Sequence, residues 1–223
     1  MESSAAPPFS DRVRLRRKRE RGRHDRDTID AVLDEALIAH VGFVDTGQPF
    51  VLPTLHARDG DVVYLHGSSA SRTLRALRDG ARVCLTVSLL DGLVLARAAM
   101  HHSANYRSAM LLGTARSVDS PADKLAALEA IVEHILPGRW SEVRQPTDKE
   151  LKATAVLALP IDEASAKVRS GPPIDDENDY ALPVWAGVLP LTSEPHAPLA
   201  DPRMDRAVPL PASLSRYRRV ARP

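Results

Sequence analysis

The chain has 223 residues, 43% of them hydrophobic and 4% aromatic, with 30 lysines and arginines against 29 acids. That is apolar material for one well-buried domain and too short a chain for two, and a net charge of +1 exerts no overall pull toward nucleic acid or a membrane surface. No run approaches the roughly 18 apolar residues of a membrane span, and the lone Cys84 excludes disulfides within the chain and argues against a thiolate metal site.

The first element in chain order is a charge run. "DRVRLRRKRERGR", Asp11 to Arg23, holds seven arginines and one lysine against two acids, with only Val13 and Leu15 to offer a core. Its composition predicts a disordered tail over 1–24, or a frayed helix. Clustered arginines can neutralise phosphates, but with a balanced net charge a nucleic-acid role is not the expectation. The run is basic like the start of a signal peptide, yet no apolar stretch of seven or more residues follows, so a cytoplasmic protein is expected.

A helix is predicted from Asp25 or Asp27, because Ile29, Val32, Leu33, Ala36 and Leu37 recur at helical spacing behind those capping residues. The period then shortens. "HVGFVD", "PFVLPTLHA" and "DVVYLHG" are β-rich runs separated by "TGQ" and "RDG", which predicts an antiparallel meander. Pro53 within the second run cannot donate a ladder hydrogen bond, so it marks an edge, a bulge or a place where something else meets the backbone.

"YLHGSSASRTLRAL", Tyr64 to Leu77, reads as a strand stopping at a glycine and a helix opening among serines and an arginine. Hydroxyls and a guanidinium at a helix start suit a phosphate. Equally, Ser69 or another serine caps the helix and Arg72 is solvated. No glycine-lysine-serine triplet follows, so this is not a nucleotide-triphosphate loop. Further strands are predicted in "ARVCLTVSLL", "LVLARAAMHH" and "YRSAMLLGTARSV", with Asp91-Gly92 as a hairpin turn. Pro121 opens an amphipathic helix with Leu125, Leu128, Ile131, Val132 and Ile135 on one face. A short helix near "TDKELKA" and a strand pair or bent strand over 155–169 follow, then a proline-rich end, 192–223, expected to be unstructured. The fold class is mainly β with helices (α+β), a six-stranded antiparallel barrel, closed or partly open.

Several single residues carry two readings each. In "NYRS" Tyr106 and Ser108 point one way and Asn105 and Arg107 the other; Tyr106 either packs or lines a site, and Arg107 is either solvated or a phosphate partner. In "SAKVRS" Lys167 shares a face with Ser165 and Arg169, either solvated or turned to a ligand. Trp185 either pins the tail or covers a ligand. His101 and His102, adjacent on an expected strand, face opposite ways and make no joint metal site. The cluster Asp175, Asp176, Glu177 and Asp179 reads as a solvated loop, and no metal is assigned.

The order of these pieces carries more than any one of them. "GFVDTGQPFVLPTLHARDGDVVYLHGSSASRTLRAL", "MHHSANYRSAMLLGTAR" and "EASAKVRSGPP" together resemble the pyridoxamine 5′-phosphate oxidase-like flavin-binding split barrels, in the branch related to nitroimidazole-resistance proteins, over 25–191. The resemblance implies a homodimer of six-stranded split barrels with FMN in a cleft between subunits. It implies that Leu65, His66, Gly67 and Ser68 run along the flavin, with Gly67 admitting close backbone approach, and that Ser71 and Arg72 reach its phosphate. Pro53, Thr54, Tyr106, Arg107, Ser108, Lys167 and Trp185 complete the implied cofactor contacts. The implied activity is hydride transfer from reduced FMN to a small acceptor, nitroaromatic compounds included, with NADH or NADPH as donor. The arginine-leucine-x-proline ending of true pyridoxamine-phosphate oxidases is absent, and "WAGVLPL" stands in that region. A non-catalytic flavin- or haem-binding protein and a deazaflavin-dependent reductase are the alternatives.

Overall fold

The structure, a computed structural model, describes residues 10–205 and 207–217; the outermost parts of the two expected tails lie outside these. Its strands are β1 (Gly22–Arg23), β2 (Ile38–Asp45), β3 (Gln48–Asp59), β4 (Val62–Ser68), β5 (Arg82–Leu95), β6 (Ser103–Thr114), β7 (Arg116–Ser117), β8 (Thr154–Pro160), β9 (Glu163–Arg169) and β10 (Gly187–Pro190). Its helices are α1 (Arg26–Glu35), α2 (Arg72–Arg78), α3 (Pro121–Ile135), α4 (Asp148–Ala153) and α5 (Ala212–Ser215). All the strand pairs are antiparallel, in the order β1-β9-β6-β5-β2-β3-β4-β8-β7, with β10 added beside β5. This is the predicted α+β architecture, a mainly antiparallel sheet with a few helices.

Two strands carry the chain between the halves of the sheet. β3 pairs with β2 over Gln48–Leu55 and then changes partner, meeting β4 over His56–Asp59. β8 lies between β4 and β7, whereas β9, after a bend at Ile161 and Asp162, lies between β6 and β1. Inside, Val41, Val63, Leu65, Val83, Leu85, Val87, Leu111, Leu157 and Leu159 pack with Ile29, Val32 and Leu33 of α1 and Leu74 and Leu77 of α2.

Local chemistry accounts for the helix starts and the turns. Asp25 caps α1, accepting from the Thr28 N–H at 2.9 Å; Ser120 caps α3 ahead of Pro121. Thr147 and Glu150 form a reciprocal capping box at α4. Thr46 and Gly47 both take positive φ, 49° and 82°, at the β2–β3 turn, as a tight hairpin requires.

The strand count departs from the predicted six, in part because the sequence misplaces a break. Asp91-Gly92 is not a hairpin turn: β5 runs through it for 14 residues with an irregularity between Leu90 and Gly92. Glycine is needed there because β10 comes close, and a Cβ on Gly92 would lie 2.9 Å from the Leu189 carbonyl oxygen. The stretch 155–169 is two strands in different neighbourhoods, and three further strands are pieces of two to four residues.

Residues 10–24, predicted to be a disordered basic tail, instead form an arm laid against the barrel. Val13 is 1% exposed, Arg12 and Ser10 bond Glu163 at the start of β9, Arg19–Arg21 make a 3-10 turn, and β1 adds to β9. Residues 192–205 and 207–211 contain no helix or strand. Ser213 of α5 nevertheless docks, its N–H donating to Glu142 at 3.0 Å. No helix among the described residues is long and apolar enough to cross a membrane.

If Val13 is the anchor of the arm, Val13→Asp should detach it, since burial of a valine side chain is worth about 1.5–3 kcal/mol, or roughly tenfold or more in the opening equilibrium. Tryptic cleavage within 14–23 should accelerate by that factor while the urea midpoint of the barrel stays close to wild type. Equal cleavage rates would show that the arm is not held by this contact.

Candidate functional site

The partner change in β3 leaves one edge of Gln48–Leu55 without a strand neighbour, and β4 ends facing this gap. Pro53 lies in the open stretch, opposite His40 of β2, so the expected edge position is where the structure puts it. The β4–α2 turn closes the gap. Ser69 N–H donates to Ala153 O at 2.9 Å, Ser71 N–H to Ser68 O at 2.9 Å, and Ala70 N–H to the Ser68 hydroxyl at 3.2 Å. Ser71, not Ser69, caps α2, accepting from the Leu74 N–H at 3.5 Å.

Arg72, the first residue of α2, is exposed. Its guanidinium carbon sits 4.2 Å from the ring centre of Phe50 on β3, and Phe50 stacks on Phe43 at 5.6 Å. The cation–π contact holds the arginine at the mouth of the gap, where it forms no ion pair among the described residues. His66 is half-buried, and its Nδ1 is buried without a hydrogen-bond partner; burial pushes the imidazole below its ordinary value.

Three implied contacts in this group face elsewhere. The Leu65 side chain is sealed in the core at 1% exposure, so only its backbone can meet a ligand. Gly67 has a packing reason: a Cβ there would stand 3.1 Å from Leu74 of α2. Thr54 is half-buried and bonds the Leu55 carbonyl at 3.2 Å.

A second group lies across the sheet on β6 and β9. Lys167 Nζ is 5.8 Å from the Tyr106 ring centre, and the Ser108 hydroxyl donates to Lys167 O at 3.4 Å. As the strand alternation predicts, Arg107 turns the opposite way. It is taken up by Asp91, at 2.7 and 3.0 Å, and by both oxygens of Glu35 at the end of α1, one at 2.7 Å. These two carboxylates raise its pKa despite its burial, and they leave the guanidinium no fork to offer a phosphate. That candidate is therefore withdrawn. Trp185 is 68% exposed and its ring covers Gly187, where a Cβ would lie 2.9 Å from it, so it packs on β10.

β3 and β6 are separated by β2 and β5, three strand spacings or about 14 Å. In one protomer Arg72, over Phe50 of β3, and Lys167, on β9 beyond β6, therefore belong to separate groups along the sheet. Between them the outer surface is apolar and uncovered, with Ile38, Val44, Val51 and Leu90 all exposed.

Nothing in the local sequence marks Asp175 as a structural residue. Its carboxylate, fully buried, accepts from the N–H groups of Arg97 at 3.1 Å and Ala98 at 3.3 Å, and from the Arg97 side chain at 3.2 Å. Burial alone would raise its pKa, but these donors outweigh it and hold the carboxyl below its usual range. His101, Asp175 and Asp179 lie close enough to face one cation, yet the Arg97 guanidinium already supplies the positive charge at Asp175. Only tertiary placement brings residue 97 to residue 175.

The family model for pyridoxamine 5′-phosphate oxidase matches residues 25–168. Among solved structures, the flavocytochrome Anf3 from Azotobacter vinelandii is 47% identical, over 96% of this chain and 99% of that one, with a TM-score of 0.90. The FAD and heme binding protein from Mycobacterium smegmatis is 40% identical, over 87% and 96%, with a TM-score of 0.84. A protein from Bacteroides thetaiotaomicron named for 5-nitroimidazole antibiotic resistance is 26% identical, over 66% and 86%, with a TM-score of 0.57. No curated protein matches.

The placement of His66 predicts an acid-sensitive contribution to stability. Its pKa is lowered in the folded chain, so the unfolded chain takes up the proton first. The contribution is therefore complete above the unfolded value of about 6.5 and is lost as pH falls below it. NMR titration should give His66 a midpoint below 6.5, and the loss of urea stability between pH 7 and 5 should be smaller in His66→Asn. A midpoint above 6.5 would contradict the buried, unpartnered ring.

Proposed function

Because this chain belongs to the pyridoxamine 5′-phosphate oxidase family, we propose that it is a flavin-dependent redox protein whose cofactor lies between two copies of the chain. The observation that carries the reading is Arg72, exposed and without an ion-pair partner among the described residues, fixed on Phe50 at the mouth of the β3–β4 gap. Beside it stand the Ser68 and Ser71 hydroxyls and the unpartnered Nδ1 of His66. This donor set fits a flavin: Arg72 and Ser71 would hold phosphate, and His66 would meet the ring or its substrate. When bound, the flavin supplies two-electron or one-electron transfer, and the chain's residues bind, orient and shield it.

The placement of Arg72 over β3 and of the Lys167 group on β6 and β9, with β2, β5 and an apolar surface between them, supports a site completed by a second protomer. Val51 at 66% exposure and Ile38 at 44% are the kind of side chains a dimer interface covers. FAD is favoured over the FMN implied by the sequence, because the 40% identical mycobacterial relative is named for FAD. A nitroaromatic acceptor has weaker support, from a relative at 26% identity.

A second cofactor is supported by the names of the two relatives at 47% and 40%, a flavocytochrome and a haem-binding protein. An imidazole is one common haem ligand, and His40 offers one, exposed on β2 between Pro53 and Thr86. Absorbance of the purified protein tests both cofactors, with flavin bands near ~370 and ~450 nm and a haem Soret band set by the cofactors themselves. His40→Ala should lose the Soret band and keep the flavin. A protein that binds neither group, purified or after incubation with FMN, FAD or haemin, would refute the reading.

Charge-assisted hydrogen bonds to phosphate are worth about 1.5–3 kcal/mol, so Arg72→Ala should weaken flavin nucleotide binding roughly tenfold to a hundredfold with the fold intact. Riboflavin, which has no phosphate, should bind both proteins alike, and Arg78→Ala, further along α2, should match wild type. Unchanged affinity in Arg72→Ala would make that side chain a solvated helix residue. Light scattering should show a dimer for the wild type, and Val51→Asp should give a monomer with lowered flavin affinity.

A further inference from the structure

The basic arm is ordered, and most of its charge is unspent. Arg16, Arg17, Lys18 and Arg19 are exposed and Arg21 is partly so, and none of the five forms an ion pair among the described residues. Arg12 is taken up by Glu163, and Arg14 has only a loose contact with Asp11 at 3.4 Å. The only acid within Arg16–Arg21 is Glu20. Holding so many like charges together costs free energy unless a partner neutralises them.

The arm also has a fixed address. β1 pairs Gly22 with Lys167 and Arg23 with Ala166, so the strip runs onto β9 beside the Lys167–Tyr106 contact. At Arg169, burial and then the nearby charge of Arg21 lower the guanidinium's pKa. The positive field of the arm therefore reaches the β6–β9 group that the proposed function places at the cofactor.

We propose that the strip Arg16–Arg21, continued by Lys167, is the docking surface for an acidic one-electron carrier protein. The proposal rests on the redox reading above. Each encounter oxidises the carrier by one electron; two encounters supply the two electrons a bound flavin accepts, and the protons come from solvent. Electron-transfer encounters bury small interfaces and depend on charge for their on-rates, which a compact, unpaired strip beside a cofactor provides. A lipid surface is disfavoured because the arm's apolar side chains, Val13 and Leu15, turn inward and leave no apolar face to insert. Nucleic acid is disfavoured because the strip has no aromatic side chain to stack on bases.

The test uses the full chain loaded with flavin and, as probe, a reduced acidic flavodoxin mixed with it by stopped flow. The second-order rate of reduction should fall steeply with added salt in wild type. In Arg16→Glu/Arg17→Glu/Arg19→Glu it should be at least tenfold lower at low salt and nearly salt-independent, within the range that electrostatic steering spans. Reduction by dithionite, which needs no docking, should be equal in both proteins and shows that the variant is folded and loaded. Equal flavodoxin rates overturn the proposal. So does retention of duplex DNA or of phosphatidylserine vesicles at 150 mM salt that the triple variant loses while its flavodoxin rate is unchanged. Binding of oxidised flavodoxin, followed by NMR, does not require flavin in the chain. A protein that bound the carrier through the arm but held no flavin would sink the proposed function and leave the docking surface standing.

Discussion

The partner change in β3 is the constraint from which the other features follow. One strand serves β2 with its first eight residues and β4 with its last four, and the point of transfer must be held rigidly or both ladders lose register. It is held by histidines. His56, fully buried, donates from Nε2 to the Leu33 carbonyl of α1 at 3.1 Å, and His134 of α3 donates to Ala36 O at 2.8 Å, with the two rings 5.0 Å apart. These bonds satisfy carbonyls that the end of α1 leaves without helical partners, so terminating a helix and locking a strand are one event. The gap at which Arg72 stands exists only because β4 is joined to β3 no further back than His56.

Arg107 has a corresponding role at the same end of α1. By binding Glu35 and Asp91 together it ties the helix to β5 and β6, and it does so at the irregularity where Asp91 leaves the ladder. The bulge turns an aspartate inward, and the arginine makes that position tolerable. A local fault in one strand, a charge on the next and the last turn of a helix thus form a single unit, which is why an arginine in a cofactor-like motif here has a structural use.

Features set by neighbours in sequence were legible. The cap at Asp25, the opening of α3 at Pro121, the turns at Gly47, Gly60 and Gly80, and the opposite facing of Tyr106 and Arg107 depend only on local backbone chemistry. The misreadings share one cause. Asp91-Gly92 has the composition of a hairpin turn, but the reason for its glycine lies near residue 189. The arm has the composition of disorder, but Glu163 and β9, some 150 residues away, give it order. At the site, the serines and Arg72 were readable as a cluster. That Gly67 answers to Leu74, and that Arg107 is already engaged, required the packed structure.

An unpaired strand edge lined with Phe50, Val51 and Leu52 is, for a newly made chain, an invitation to pair with any extended segment nearby. Pro49 and Pro53 stand four residues apart in that stretch, both within an unbroken ladder to β2. A proline in an intact ladder has its nitrogen turned away from the partner strand, so both nitrogens face the open edge. Two of the positions where an intruding strand would seek an N–H therefore have none. The edge stays open without offering a full row of donors that would seed aggregation.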